Sequence, residues 1–134
     1  MKTGPIIESE LRNILNADSE VSSVLLLNYH NTKTNPEGYS FKYITCLAEV
    51  ARDESHRDHW VDLDYINYST EIMRINNRKY LRSYNIENLK DNFPRLYEKL
   101  KICSIHGIAI YSRQLELLVL LYKDDMSERT NTYY

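Results

Sequence analysis

Glycine is scarce in this chain, three in 134 residues, and that alone narrows its chemistry. Phosphate cradles are built from glycine-rich loops, and none is present; nor is there a G-x-S-x-G turn to present a nucleophilic serine. Cysteine is rarer still. Cys46 and Cys103 show no C-x-x-C spacing, and both fall in segments that read as strands, so buried free thiols are expected. A disulfide would need an oxidising compartment, for which nothing else in the sequence argues. Excess charge of one sign is also missing: 17 basic against 19 acidic side chains leave a net charge of −2, no footprint for nucleic acid or an anionic membrane. The longest apolar run, Leu117 to Tyr122, falls far short of the roughly 20 residues that span a bilayer. The opening Met-Lys-Thr-Gly-Pro lacks the apolar core of a signal peptide. The expectation is a soluble, cytoplasmic protein that binds neither nucleic acid nor membrane.

What is present is one domain's worth of patterned sequence, 16.0 kDa without linker or repeat, rich in Tyr and Asn as AT-rich bacterial or viral genomes favour. Ser104 to Lys123 holds two apolar runs around a polar break at Ser112–Gln114, the signal of a hairpin. Its second arm carries Leu115, Leu117, Val119 and Leu121 on one face and Leu118, Leu120 and Tyr122 on the other. Apolar on both faces, it belongs in the middle of a sheet with helices packed on it. Residues 5–17 place Ile7, Leu11, Ile14 and Leu15 at helical spacing behind Pro5. Val21–His30 reads as the first strand, Asn31–Gly38 as a loop and Tyr39–Ala51 as the second strand, with Phe41, Tyr43, Thr45 and Leu47 on one face. Arg52–His59 reads as a solvated, charged connection. Trp60–Ile66 alternates strictly and predicts a third strand at a sheet edge. Helices are predicted over 69–79, capped by Ser69 or Thr70, and over 88–101, with Pro94 near its start; Tyr80–Tyr84 is an extended piece.

That order of elements, together with Leu25-Leu26-Leu27-Asn28-Tyr29-His30-Asn31, the Gly38 loop and Phe41-Lys42-Tyr43 through Leu47-Ala48-Glu49-Val50, resembles the GAF-like and PAS-like ligand-sensing domains. It looks most like small stand-alone GAF-like proteins of phage and environmental viral genomes, over about residues 7–123. The resemblance implies an α+β fold: a five-stranded antiparallel sheet in the order 2-1-5-4-3 with flanking helices. It also implies a pocket at the mouth of the sheet, where Tyr29, His30 and Asn31 end the first strand. No Cys-His pairing marks a bilin site and the cyclic-nucleotide signature is missing, so no cofactor is expected.

Four further groups are candidates for chemistry. Glu49, late in the second strand, needs a partner or a ligand amine if its face is covered. His56-x-x-His59 offers nitrogen donors but falls short of H-E-x-x-H, so a charged turn rather than a metal site is expected. His106-Gly107 reads as a strand histidine beside a glycine that marks a close approach or a bulge. The many tyrosines offer amphipathic area for docking. Two functions follow as expectations. The first is a non-enzymatic, GAF-like sensory or regulatory module that binds a small molecule or protein partner and self-associates as a dimer through Ile7, Leu11 and Ile14. The alternative is a structural or adaptor subunit of a viral particle or other assembly that keeps the fold without a ligand.

Overall fold

A computed structural model of the protein describes residues 4–30, 43–61 and 63–125. Among these residues the fold is α+β, three helices on an antiparallel sheet of six strands. In chain order the elements are α1 (Gly4–Ala17), β1 (Ser23–His30), β2 (Tyr43–Ala51), a 3-10 turn (Arg57–Trp60), β3 (Leu63–Asp64), α2 (Tyr65–Arg78), β4 (Tyr80–Ser83), a second 3-10 turn (Ile86–Leu89), α3 (Pro94–Ile102), β5 (Gly107–Arg113) and β6 (Glu116–Tyr122). The sheet runs β3-β2-β1-β6-β5-β4. No helix among the described residues is long and apolar enough to cross a membrane.

The hairpin arm expected at the centre is there: β6 lies between β1 and β5, antiparallel to both. Leu117, Val119 and Leu121 enter one apolar layer and Leu118, Leu120 and Tyr122 the other. The first layer is closed by α2 and α3 through Ile72, Ile75, Leu96 and Leu100, and the second by α1 through Leu11 and Leu15. Leu11, expected at a dimer interface, is thus spent on the protein's own sheet. Ile7 and Ile14 are partly buried against that same layer.

Three expectations are corrected. The predicted strand at Trp60–Ile66 divides into the end of a 3-10 turn, the two residues of β3 and the start of α2. Tyr65, Tyr68, Ile72 and Ile75 recur at helical spacing, and all four pack in the core layer under α2; that repeat wins over the alternation before it. The short β3 pairs with β2, and the place beside the first hairpin arm is taken by β4. The sheet therefore has six strands where five were expected. The predicted helix at 88–101 is likewise two elements, because a residue before proline is driven out of the helical region: Phe93 sits at φ −134°, ψ 57°, and the helix starts at Pro94. Finally, Cys103 is no strand residue. It caps the C-terminus of α3, half-buried, while Cys46 is buried in β2, and both are free thiols.

Phe93 cannot cap the helix it precedes, and no side chain caps α3 from that position. The cap comes from α2 instead. Glu71, only 5% exposed, accepts hydrogen bonds from the backbone N–H of Arg95 at 3.0 Å and of Leu96 at 2.9 Å. A carboxylate there satisfies two of the donors a helix start leaves unpaired and meets the positive end of its dipole. Arg52 performs the converse task at α1, donating to the carbonyls of Leu15, Asp18 and Val21. The Arg52–His59 connection, expected to be solvated, is therefore tied down at its first residue.

Candidate functional site

The space between the sheet and α2/α3 is filled by side chains. A cavity of about 30 Å³ remains, lined by residues that include Leu27, Trp60, Tyr68, Glu71, Leu96 and Val119. It has room for a water or two, an order of magnitude less than the roughly 300–1,000 Å³ of small-molecule sites.

Of the residues predicted to form one site, Tyr29 and Glu49 are held apart. Tyr29 pairs with Ile44 and His30 with Tyr43 at one end of the β1–β2 ladder, whereas Glu49 pairs with Leu25. At the usual rise per residue, the four steps from Tyr29 to Leu25 separate the two by about 14 Å. Asn31 lies outside the described residues. The ladder also slips between Leu26 and Leu27, which pair with Ala48 and Cys46 and leave Leu47 unpaired as a bulge. Past the bulge the faces exchange. Glu49 accordingly shares a face with Ile44 and Cys46, not with Tyr43 as alternation predicts. There it has protein partners: its carboxylate accepts from the Ser55 hydroxyl and, at 2.8 Å, from the backbone N–H of His56. Those bonds pull the 3-10 turn inward and bury the His56 side chain. Its Nε2 and the Nε1 of neighbouring Trp60 have no hydrogen-bond partner among the described residues.

His59 is exposed. Among the described residues no group of three or more His, Cys, Asp or Glu side chains is arranged to hold a metal ion. His106 precedes β5 and its Nδ1 lies 2.6 Å from the Lys123 carbonyl, tying together the two ends of the hairpin. Gly107 is a close approach, as expected: a Cβ there would stand 3.1 Å from the Ser83 carbonyl oxygen and 3.2 Å from the Tyr84 Cα. Burial lifts the thiol of Cys46 to about 11, with Arg57 pulling the other way. At that value it is no nucleophile near neutrality.

The open site is at Tyr29. A cleft of about 410 Å³ lies where the end of β1, both ends of α2 and the β5–β6 turn converge, lined by Tyr29, Tyr65, Asn76, Lys79 and residues 112–115. Tyr29 and Tyr65 meet edge to face, ring centroids 5.7 Å apart. Burial raises the pKa of the Tyr29 hydroxyl, and Tyr65 adds to the rise. Asn76 Oδ1 accepts from the Ser112 hydroxyl at 2.6 Å, and the Ser112 N–H donates to the Lys79 carbonyl at 2.8 Å. The Tyr29 N–H donates to the Leu115 carbonyl at 3.3 Å, joining the turn to β1. No family model matches the chain, and no curated protein or solved structure matches it.

Only Tyr29 among the residues of this cleft is foreseen from the sequence. The polar break at Ser112–Gln114 marks a turn but carries no sign that it stands beside Tyr65, Asn76 and Lys79. Two broader grooves flank α1 on the other face, one of about 600 Å³ by Ile7, Leu26 and Leu47, the other of about 470 Å³ by Ile14, Tyr111 and Leu120.

Proposed function

We propose that the protein is a non-enzymatic regulatory module of GAF/PAS-like type, acting in the cytoplasm, that senses a small molecule at the open end of its sheet. The observation that carries this reading is the contrast between the filled interior and the cleft at Tyr29. Strand order lends support. With the two-residue β3 set aside, β2-β1-β6-β5-β4 counts as 2-1-5-4-3, the order of that superfamily, and helices cover both faces. The cleft is lined by amides, hydroxyls and cations around two aromatic rings, a set suited to holding a ligand in place.

Amide chemical-shift mapping with a library of small metabolites tests this. Saturable shifts are expected at Tyr29, Lys79 and residues 112–115. A library that moves only amides around the grooves beside α1, or none at all, would sink the proposal. The alternative, a structural or adaptor subunit of a viral particle or other assembly, draws on Ile66 and Met73, which stand seven apart on α2 and are 82% and 60% exposed.

A further inference from the structure

We infer that the cleft at the hairpin end recognises a small organic anion, a carboxylate carrying an apolar body; this rests on the reading of the cleft as the recognition site. The first ground is charge. Lys79 and Arg113 both line the cleft, and neither side chain has an ion-pair or hydrogen-bond partner among the described residues. Glu116, the cross-strand neighbour of Arg113, does not line this cleft; it shares the adjoining groove beside α1 with Glu10 and with Arg113, which borders both. The carboxylate of a ligand would therefore meet two cations that the fold leaves uncommitted. A guanidinium and a carboxylate match in two parallel hydrogen bonds, and Asn76 and Gln114 add amide donors.

The second ground is Leu115. Among the described residues it is one of three non-glycine residues with positive φ, at 61°, together with Lys79 at 73° and Ser104 at 58°. For Lys79 the cause is ordinary, because a left-handed residue closes α2. Leu115 has no such excuse. The β5–β6 loop has two residues, Gln114 and Leu115, and its second position asks for glycine or asparagine. Leucine there is strained, and its side chain is 54% exposed, so stability argues against it on both counts. An exposed apolar side chain in the lining of a cationic cleft, which the two tyrosine rings also line, accounts for the residue if the ligand's body is apolar. The cleft volume of about 410 Å³ suits a small molecule rather than a folded partner.

The experiment titrates the full chain, amide resonances assigned, with benzoate, phenylacetate and isovalerate, with neutral phenylacetamide, and with inorganic phosphate. At least one carboxylate is expected to shift Lys79 and residues 112–115 saturably at millimolar concentration. Phenylacetamide and phosphate should each bind at least about tenfold more weakly than the best carboxylate. Lys79→Gln/Arg113→Gln should lose about tenfold or more with the rest of the spectrum unchanged; Lys79→Gln alone serves if the double variant does not fold. Leu115→Gly should keep the fold and weaken the carboxylate. Equal binding of phenylacetate and phenylacetamide would overturn the anion preference while leaving the cleft a recognition site. Phosphate binding as well as the carboxylates would overturn the apolar body. No shift at the cleft with any of the three carboxylates would overturn the proposal, and the wider library decides whether the recognition site falls with it.

Discussion

Glu71 shows how much one side chain can carry. It comes from α2, yet it supplies the cap that the sequence ahead of Pro94 does not. Replacing it by glutamine leaves one carbonyl oxygen to accept where two carboxylate oxygens did, and strands a buried N–H at a cost of about 1–3 kcal/mol. The loss is expected to be pH-dependent. Burial raises the Glu71 pKa above its ordinary 4.5, with the Leu96 and Arg95 N–H groups pulling it back. A carboxyl with a raised native pKa holds more protons folded than unfolded. Its contribution is therefore fully present below about 4.5 and shrinks as pH rises through the native pKa. Urea unfolding of wild type and Glu71→Gln from pH 4 to 8 should show the gap between them narrowing upward; a gap that widens with pH would assign the wrong sign. Nothing in the sequence announces this role, because a buried acid is visible only once its partners, 24 and 25 residues away, are known.

At the scale of elements, legibility followed redundancy. β6 declares itself because leucine, valine and tyrosine fill both of its faces, so no slip in register could hide its place between two neighbours. Val119 is 1% exposed there, and Val119→Asp is expected to unfold the domain at a cost of several kcal/mol, whereas Met73→Asp on the outer side of α2 should melt within a degree or two of wild type. Circular dichroism melts compare them, and a Val119→Asp protein as stable as Met73→Asp would mean that β6 is not central. The faces of β2 were misread because its bulge falls at Leu47, a residue with no mark of irregularity, and the extra position reverses every assignment beyond it. The third strand was misread because W-V-D-L-D-Y-I satisfies alternation while Tyr65 already opens the helical repeat that prevails. The cleft was out of reach for a different reason: its walls come from four separate segments, and only the fold brings them together.

For the molecule as a whole, the open question is what covers α1. Leu11 and Leu15 are consumed by the sheet, so a Leu11→Glu variant would unfold the protein before it reported on any partner. Ile6, Ile7 and Ile14 remain as the apolar margin of the helix, with Ile6 mostly in solvent. A two-fold pairing uses such a margin twice. The protein is accordingly expected to be dimeric at tens of micromolar by light scattering, and Ile6→Glu to be monomeric with an unchanged melting temperature. A monomeric wild type would leave α1 as a lid and nothing more.

β3 covers only Tyr43 and Ile44 of β2, so from Thr45 onward the outer rim of that strand has no strand beside it among the described residues. Such a rim is a template on which another chain can be added, the first step of a fibril. Two features blunt it here. The bulge breaks the regular spacing of its hydrogen-bonding groups, and the Arg57 guanidinium occupies the Leu47 carbonyl at 3.2 Å. Arg57 thereby guards the colloidal life of the protein: without it the native state could be as stable as before and still be lost from solution more quickly.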